Sequence, residues 1–412
     1  MQADRIIGQV VAVSAGQMEL AIDVAATDRL RSDPDGVLAA AGMLGSLVKV
    51  NTQDLWVIGT LRVIEQKDGR SIGLIDLLGE AEIDGSGRIT GFRRGVGTYP
   101  RAGDRAWPMD GEETARVFSG DDRPHIQIGI VYPTGQVRAA VYFDAFLSKN
   151  FAIVGSTGTG KSTATALILH RIIEQAPEGH VVMIDPHGEY ARAFASTGMV
   201  FNVDNLELPY WLLNFEEHCE VLLTSEGAAR EMDRDILARC LQIARQKSVF
   251  AQGLASVTTD TPIPYLLSVL MDTLASEMGR ISETQNAPNY MRIRAKLEQI
   301  MRDPRHQFMF DRRYSNDNMA DFMRRILRLP VAGKPISVID LSGVPTAVVT
   351  AVVSVLSRIV FDFAVWSRGE QRRPVVLVCE EAHRYIPSRN ISKQSPVRDV
   401  LERIAKEGRK YG

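Results

Sequence analysis

The stretch FAIVGSTGTGKST, residues 151–163, decides how the chain around it is expected to fold. Its apolar start predicts a buried strand at 151–154, which leads through a glycine-rich loop into a helix predicted over residues 164–175. The loop fits the pattern G-x-x-x-x-G-K-[ST] of a phosphate-binding P-loop at Gly155, Gly160, Lys161 and Ser162. Glycine-rich turns also match this pattern by chance, but here strand, loop and helix stand in the order that a P-loop requires.

The residue types in this loop suit a nucleoside triphosphate with Mg²⁺. Glycines let backbone N–H groups turn inward and approach phosphate oxygens. Lys161 supplies a positive charge for the β- and γ-phosphates, and Ser162 supplies a hydroxyl ligand for Mg²⁺. We therefore predict an ATP site in which Lys161 has a catalytic role. The residues predicted to contact the nucleotide are Gly155, Ser156, Thr157, Gly158, Thr159, Gly160, Lys161, Ser162 and Thr163.

Length and composition indicate an ordinary soluble protein of two or three domains. The chain has 412 residues, of which 45% are hydrophobic and 24% charged. Its net charge of −2 implies that any contact with nucleic acid depends on a local basic surface. The three cysteines have no paired or zinc-binding spacing, which indicates a reducing compartment. No apolar run approaches about 18 residues and the N-terminus is not a signal peptide, so we expect a cytoplasmic protein without a membrane span.

Residues 1–124 are predicted to form a small all-β barrel with a docking or assembly role. Short apolar runs predict strands at 6–13, 18–22, 47–51, 56–65, 71–77, 80–90 and 106–108. The pairs Asp35-Gly36, Asp68-Gly69 and Asp84-Gly85 are expected to make turns between them. Many short strands at even spacing are typical of a barrel. No catalytic constellation stands out in this part of the sequence.

Residues 125–412 are predicted to form an α/β nucleotide-binding domain. Apolar strands are expected at 126–131, 139–143, 181–185, 336–341 and 375–379. Their alternation with helices indicates a parallel sheet. Between about 205 and 330 this alternation stops, and helices are predicted at 228–247, 265–278, 289–302 and 320–328. We interpret that section as a helical insertion.

The strand predicted at 375–379 ends in two carboxylates, Glu380 and Glu381. A P-loop enzyme needs an acid there for the Mg²⁺ shell and a second carboxylate that activates water. Glu380 fits the metal role and Glu381 the catalytic role, because adjacent residues at a strand end diverge in direction. The long side chain of Glu380 leaves direct and water-mediated Mg²⁺ contact both open. The alternative is a solvated acidic turn.

A second polar group, at residues 185–189, closes the strand predicted before it. Polar side chains at the carboxyl ends of parallel strands face the ligand crevice. A role in sensing phosphate or a neighbouring subunit is one interpretation, and a turn stabilised by Asp185 and Gly188 is the other. His383 either orients Glu381 or caps the following segment.

These motifs together resemble the HerA family of the HerA/FtsK group of RecA-like P-loop ATPases, in its bacterial form. The resemblance rests on the small barrel, on FAIVGSTGTGKST, and on four further segments: IDPHGEY (184–190), VIDLSG (338–343), CEEAH (379–383) and RIAKEGRKYG (403–412). It implies a RecA-like core and a homohexameric ring that couples ATP hydrolysis to movement along double-stranded DNA through a central channel. It also implies a partner, either a NurA-like nuclease in DNA-end resection or a nuclease or sirtuin-like effector in anti-phage defence.

The resemblance also bears on the end of the sequence. Similar proteins continue beyond the position of Gly412 into a further core strand with a polar sensor, so we expect the chain to be C-terminally incomplete. Arg409 matches the family position of a catalytic arginine that acts in trans on the neighbouring subunit's γ-phosphate. The alternative for Arg409 is a surface residue on a polar turn.

Two basic groups are candidates for contact with DNA. One follows the glutamate pair and comprises Arg384, Arg389, Lys393 and Arg398. In a ring such a loop projects into the central channel, where six copies of a few cations suffice to bind phosphates. The other comprises Arg324, Arg325 and Arg328, for which a solvated helix face is the favoured interpretation.

Two functions compete on this evidence. The first is a hexameric DNA-translocating ATPase that works with a nuclease or effector. The second is an ATPase scaffold that assembles and regulates a bound defence effector with little or no translocation. Stimulation of ATP hydrolysis by duplex DNA discriminates between them.

Overall fold

The computed structural model describes residues 5–52, 55–85, 88–120, 122–280, 286–367, 373–386 and 395–411. Contacts within the chain divide it into two compact units. The first unit comprises Met1–Leu147 and Leu167–Ile172, and the second comprises Ser148–Ala166 and Ile173–Gly412.

A six-stranded barrel forms the first unit's main body. The sheet that contains it has seven strands: β1 (Gly8–Ser14), β2 (Gln17–Ile22), β3 (Leu47–Thr52), β4 (Leu55–Lys67), β5 (Arg70–Ile83), β6 (Ile89–Arg94) and β7 (Arg105–Pro108). They pair antiparallel in the order β2-β1-β7-β3-β4-β5-β6, and β2 also pairs with β5. This additional pairing closes six strands into a barrel and leaves β6 outside as an extension of β5, which confirms the predicted barrel.

The Asp-Gly pairs have different structural roles. Asp68 and Gly69 join β4 to β5 in a two-residue turn with φ of 50° and 74°, the conformation that a tight hairpin needs. Asp35-Gly36 was expected to make a turn but begins a helix instead. The Asp35 carboxylate accepts a hydrogen bond from the N–H of Val37 at 2.8 Å, because aspartate caps helices as readily as it makes turns.

The first unit also contains short helices that lie outside the sequence predictions. They are α1 (Val24–Leu30), α2 (Gly36–Ala39) and α3 (Gly111–Phe118). Each is preceded by an aspartate cap, and each is too short to show a helical period. The strands β8 (His125–Ile130) and β9 (Arg138–Tyr142), followed by α4 (Phe143–Leu147), pair antiparallel with each other rather than joining the parallel sheet.

A parallel sheet organises the second unit. Its strands are β10 (His180–Asp185), β11 (Gly198–Phe201), β12 (Ile336–Asp340) and β13 (Val375–Cys379), in the order β11-β12-β10-β13. All pairings are parallel, as predicted. Every residue of β10 is buried, as expected for an interior strand of a parallel sheet.

The strand predicted at 151–154 is not formed. Residues 151–156 carry no β pairing, and Val154 is 87% exposed. An apolar run becomes a strand only through hydrogen bonds to a neighbour. Among the described strands β13 pairs with β10 alone, and none pairs with this segment.

Helices make up most of the remaining chain. They are α5 (Lys161–Gln175), α6 (Phe215–Leu222), α7 (Gly227–Gln246), α8 (Leu267–Arg280), α9 (Ala287–Arg302), α10 (Gln307–Phe310), α11 (Met319–Leu327), α12 (Thr346–Trp366) and α13 (Pro396–Glu407). The run α6–α11 lies between β11 and β12 in the sequence, which confirms the predicted helical insertion.

Helix α12 corrects the expectation that no long apolar run exists. Its segment Val348–Trp366 is long and apolar enough to cross a membrane by length and composition alone. In the structure 67% of that segment is buried, and Val352 and Leu356 belong to the main core of the second unit. Burial of this kind is typical of a core helix.

The helical insertion is held together by a buried ion pair. Asp233 of α7 has no solvent exposure and accepts hydrogen bonds from Arg292 at 2.7 Å, Asn289 at 2.6 Å and Ser225 at 2.5 Å. These bonds join α7 to α9 and to the turn before α7. A buried carboxylate needs such partners because desolvation of its charge is costly.

We predict that Asp233→Ala destabilises the second unit by roughly 2 kcal/mol, because it removes the acceptor shared by the half-buried groups Arg292, Asn289 and Ser225. Thermal melting monitored by circular dichroism measures the effect. Asp235→Ala is the matched control, since Asp235 lies exposed on the same helix. Equal melting temperatures for the two variants would contradict a structural role of the cluster.

Candidate nucleotide-binding site

The P-loop has the backbone that its glycines predict. Gly158 and Gly160 have φ of 81° and 90°, in the left-handed region that side-chain-bearing residues rarely adopt. Helix α5 begins at Lys161, directly after Gly160, and the N–H of Ala164 bonds to the Gly160 carbonyl at 2.9 Å. Free N–H groups at the start of this helix therefore lie beside the loop, as phosphate binding requires.

Side chains of the loop hydrogen-bond to its own backbone. Lys161 Nζ donates to the Ser156 carbonyl at 3.2 Å, and Thr159 Oγ1 donates to the same oxygen at 2.8 Å. The Lys161 ammonium therefore lies over the loop, on the side where a phosphate oxygen would compete for it.

Ser162 brings a further residue, Glu189, into the site. Ser162 Oγ donates a hydrogen bond to Glu189 Oε2 at 2.8 Å. Sequence reasoning placed Glu189 in a polar turn and not beside the metal ligand Ser162. The available signal was its position, four residues after the end of β10, at the edge of the sheet where ligands bind.

The carboxyl ends of three strands concentrate negative charge at one edge of the sheet. Asp185 and Asp340 are registered neighbours at the ends of β10 and β12, and Glu380 follows the end of β13. Asp185 is fully buried, and its carboxylate accepts hydrogen bonds from the N–H groups of His187 at 3.2 Å, Gly188 at 2.9 Å and Tyr190 at 3.0 Å. Asp185 therefore stabilises the turn over residues 185–190, which is the second of the two interpretations offered for it.

Glu380 has no comparable set of donors. Its N–H continues the sheet by bonding to the Ile184 carbonyl at 3.1 Å. Burial raises the pKa of its carboxyl group, the nearby Tyr190 hydroxyl partly offsets this by lowering the pKa, and the negative charges of Glu381, Glu189 and Asp185 raise it further. A bound cation would relieve this repulsion.

The donor set fits Mg²⁺ held jointly by protein and phosphates. Ser162 and Glu380 offer hydroxyl and carboxylate oxygens, which are the ligands that Mg²⁺ prefers. In the part of the chain that the structure describes, no three His, Cys, Asp or Glu side chains form a metal centre by themselves. This agrees with the sparse protein ligation of Mg²⁺ in phosphate sites, where phosphates and water complete the shell.

Glu381 has an unusual backbone conformation. Its φ of 48° and ψ of 41° lie in the left-handed region. Residues with side chains adopt this strained conformation most often at functional sites. Its carboxylate contacts His383 Nδ1 at 3.0 Å, and the His383 ring is largely exposed. The contact supports the interpretation that His383 orients Glu381.

Tyr190 is a site residue that sequence reasoning missed. It is 1% exposed, and its hydroxyl makes no hydrogen bond of acceptable geometry among the described residues. Ser162, Thr165 and Glu380 surround this hydroxyl, and burial raises the pKa of the phenol well above its usual range. Only its place as the last residue of IDPHGEY pointed towards it.

Comparison with known proteins agrees with this geometry. The family model for the central domain of the helicase HerA matches residues 126–360, more than half of the chain. The chain belongs to the HerA helicase family. The resemblance found in the sequence is thereby confirmed.

Two HerA relatives come from archaea. The DNA double-strand break repair helicase HerA of Pyrococcus furiosus is 25% identical over 337 residues, which cover 73% of this chain and 57% of the relative. The protein of the same name from Saccharolobus solfataricus is 28% identical over 326 residues, covering 76% of this chain and 58% of the relative. The chain thus spans somewhat over half the length of these relatives. Among solved structures, VirB4 of Thermoanaerobacter pseudethanolicus matches with 17% identity and a TM-score of 0.45, over 71% of this chain and 75% of VirB4.

The arginine that the HerA resemblance identified lies near the end of the described chain. Arg409 is exposed in a single 3-10 turn, Gly408–Lys410, and makes no ion pair or hydrogen bond within the described ranges. The segment around it is anchored to α12, because Tyr411 packs edge-on against Phe361 at 5.8 Å and Arg403 lies 4.7 Å from the Phe361 ring centre.

The predicted basic groups have different surroundings. In the first group, Arg384 contacts His187 Nε2 at 3.1 Å and Arg398 bonds to Glu402 at 2.8 Å, while Arg389 and Lys393 lie outside the described residues. The second group is largely occupied within the fold. Arg325 pairs with Glu207, Arg328 donates to the Lys334 carbonyl at 2.8 Å, and Arg324 faces Asp321 at 3.5 Å.

We predict that Glu380→Gln raises the melting temperature of the nucleotide-free protein. The folded state raises the pKa of Glu380, so the ionised side chain costs folding free energy above its folded pKa. This cost declines as the pH falls through the folded pKa and is gone below the unfolded pKa. The stability advantage of the variant should therefore be largest at neutral to basic pH and vanish in acid, as melting curves across pH would show. The control is Asp272→Asn, which removes one charge from an exposed position of α8. A lower melting temperature for Glu380→Gln would refute the electrostatic account.

Proposed function

We propose that this chain is the ATP-hydrolysing part of a hexameric ring that moves along double-stranded DNA and works with a partner nuclease or effector. One observation carries the proposal. A P-loop at the start of α5 is combined with two adjacent carboxylates, Glu380 and Glu381, which directly follow strand β13. Both occur in a member of the HerA helicase family. These are the two halves of a nucleotide-hydrolysing site.

Each side chain has a chemical role in this proposal. Lys161 would leave the Ser156 carbonyl and bind the β- and γ-phosphates. Ser162 and Glu380 would hold Mg²⁺, which neutralises charge on the phosphates when bound. Glu381 would accept a proton from the attacking water, with His383 fixing the direction of its carboxylate at 3.0 Å. Arg409 would act from the neighbouring subunit, where its exposed guanidinium is available to a γ-phosphate.

The DNA role rests on the relatives, which are named as double-strand break repair helicases. With a net charge of −2, the chain needs a local set of cations to bind DNA, and a ring multiplies each cation six-fold. We place this contact on the segment after Glu381, which begins with Arg384 and includes Arg389 and Lys393. The partner would be a NurA-like nuclease in DNA-end resection, or a nuclease or sirtuin-like effector in anti-phage defence, in the cytoplasm.

The scaffold function is the second candidate, and the barrel supports it. We propose that residues 1–124 form a domain that docks the effector and that residues 125–412 form the ATPase core. Met43 and Leu44 expose about half of their surface next to one another in the first unit, 51% and 52% respectively, as residues of a contact surface do. Under this alternative, ATP hydrolysis would regulate the bound effector and be indifferent to DNA.

We predict that Lys161→Ala abolishes nucleotide binding, whereas Glu381→Gln retains binding and loses hydrolysis by about 10²–10⁴-fold, the usual worth of a general base. Steady-state ATP hydrolysis by the natural full-length protein, with and without linear duplex DNA, measures both. Lys247→Ala, at an exposed position of the helical insertion, serves as the control. Normal ATP turnover in Glu381→Gln would contradict the role of Glu381 as the general base. Turnover that DNA does not change would favour the scaffold function.

We predict that Arg409→Ala lowers hydrolysis about 10³–10⁵-fold without changing nucleotide affinity, because an arginine finger stabilises only the transition state. If Arg409 acts in trans, mixing Arg409→Ala with Lys161→Ala subunits restores part of the activity, since some interfaces then combine an intact P-loop with an intact arginine. Lys406→Ala, three residues away in α13, is the control and should hydrolyse ATP normally. Two inactive variants that stay inactive when mixed would argue against a shared site.

A further inference from the structure

The Tyr190 hydroxyl is a buried polar group that the assigned roles leave unused. It is enclosed, with the residue 1% exposed, and lacks a hydrogen-bond partner among the described residues. A buried donor without a well-formed hydrogen bond costs folding free energy relative to a satisfied one. Phenylalanine would fill the same space without this cost, so packing alone gives no reason for the hydroxyl.

The position of the ring is fixed by the backbone around it. The N–H of Tyr190 donates to the buried Asp185 carboxylate at 3.0 Å, and its ring stacks on Phe194 with centroids 6.3 Å apart. The phenol is therefore held at the carboxyl edge of β10. Its oxygen points among Ser162, Thr165 and Glu380.

The neighbouring hydroxyls are engaged elsewhere. Ser162 Oγ donates to Glu189 at 2.8 Å, and Thr165 Oγ1 donates to the Lys161 carbonyl at 3.0 Å. Glu380, by contrast, is a carboxylate that lies near three other acids, and the Tyr190 hydroxyl is the side-chain donor beside it. A phenolic O–H is the kind of donor that suits such a carboxylate.

We propose that Tyr190 is a positioning residue of the metal–nucleotide site, which donates its hydrogen bond to Glu380 when Ser162 exchanges Glu189 for the metal. This inference rests on the proposed function. One Glu380 oxygen would accept the hydrogen bond from the phenolic O–H, and the other would face Mg²⁺ or its water shell. In the nucleotide-free structure the phenol already lies beside Glu380, without a hydrogen bond of normal geometry. Metal binding would align the two groups.

Tyr190→Phe tests the inference because it keeps the ring and its stacking on Phe194. The melting temperature of the nucleotide-free protein should stay unchanged or rise, since no hydrogen bond is lost. Affinity for ADP measured calorimetrically with Mg²⁺ should fall roughly ten-fold, the worth of one hydrogen bond to a charged group. Affinity for ADP in EDTA should not change, because the P-loop contacts remain.

A double-mutant cycle identifies the acceptor. If Tyr190 acts through Glu380, then Tyr190→Phe has no further effect on Mg²⁺-dependent affinity in a Glu380→Ala background, which has no side-chain acceptor at this position. The matched control is Tyr290→Phe, which removes an equally buried phenol from α9 and should leave both affinities unchanged.

The outcomes separate this inference from the proposed function. A wild-type protein that binds no nucleotide would overturn the proposed function and the inference together. Mg²⁺-dependent binding that is equal in wild type and Tyr190→Phe would overturn the inference alone. An equal loss with and without Mg²⁺, or a lower melting temperature of the nucleotide-free variant, would show that Tyr190 only supports packing.

Discussion

The backbone ladder of β10 is the constraint on which the nucleotide site depends. This fully buried strand is registered against β12 from Val181 to Asp185 on one side and against β13 from His180 to Ile184 on the other. Because the carboxyl ends of parallel strands lie at the same edge of a sheet, this pairing places Asp185, Asp340 and Glu380 next to one another. The N–H of Glu380 extends it by one more bond, to Ile184 at 3.1 Å. Any shift of register would move the glutamate pair away from the turn that carries Glu189 and Tyr190.

This concentration of acids is tolerated in two different ways. The Asp185 charge is compensated by three backbone N–H donors, so it serves the fold. Glu380 has no such set of backbone donors among the described residues, Glu381 has a left-handed backbone, and the Tyr190 hydroxyl beside Glu380 makes no hydrogen bond of normal geometry there. In the helical insertion, by contrast, the buried carboxylates have hydrogen-bond partners that compensate their charges. Asp233 is fully paired, and Glu217 accepts from Arg358 and Ser354 at 2.8 Å each. The uncompensated charge, the strained backbone and the poorly bonded hydroxyl thus lie together at the place where a cation and phosphates would compensate them.

Local signals explain which elements were predictable. Helices α7, α8, α9 and α11 were expected from their helix-forming residues, and their ends fall within a few residues of the prediction. The barrel strands were expected from short apolar runs separated by turns such as Asp68-Gly69. Helices α1–α3 were missed because four to eight residues after an aspartate do not distinguish a helix from a turn. Within the site, the P-loop and the glutamate pair were found because each is a contiguous motif.

The sequence by itself determined the chemistry of the chain: a P-loop with its lysine and serine, two glutamates at a strand end, and a HerA-type order of motifs. Only the tertiary structure decided what these groups touch. It joined Ser162 to Glu189 across 27 residues, brought Tyr190 towards Glu380, and left the apolar segment 151–154 without a strand partner. The physical reason is that a sequence motif consists of residues that are neighbours in the chain. Pairing, burial and hydrogen bonding, by contrast, depend on groups that are distant in the chain and meet only when the sheet assembles.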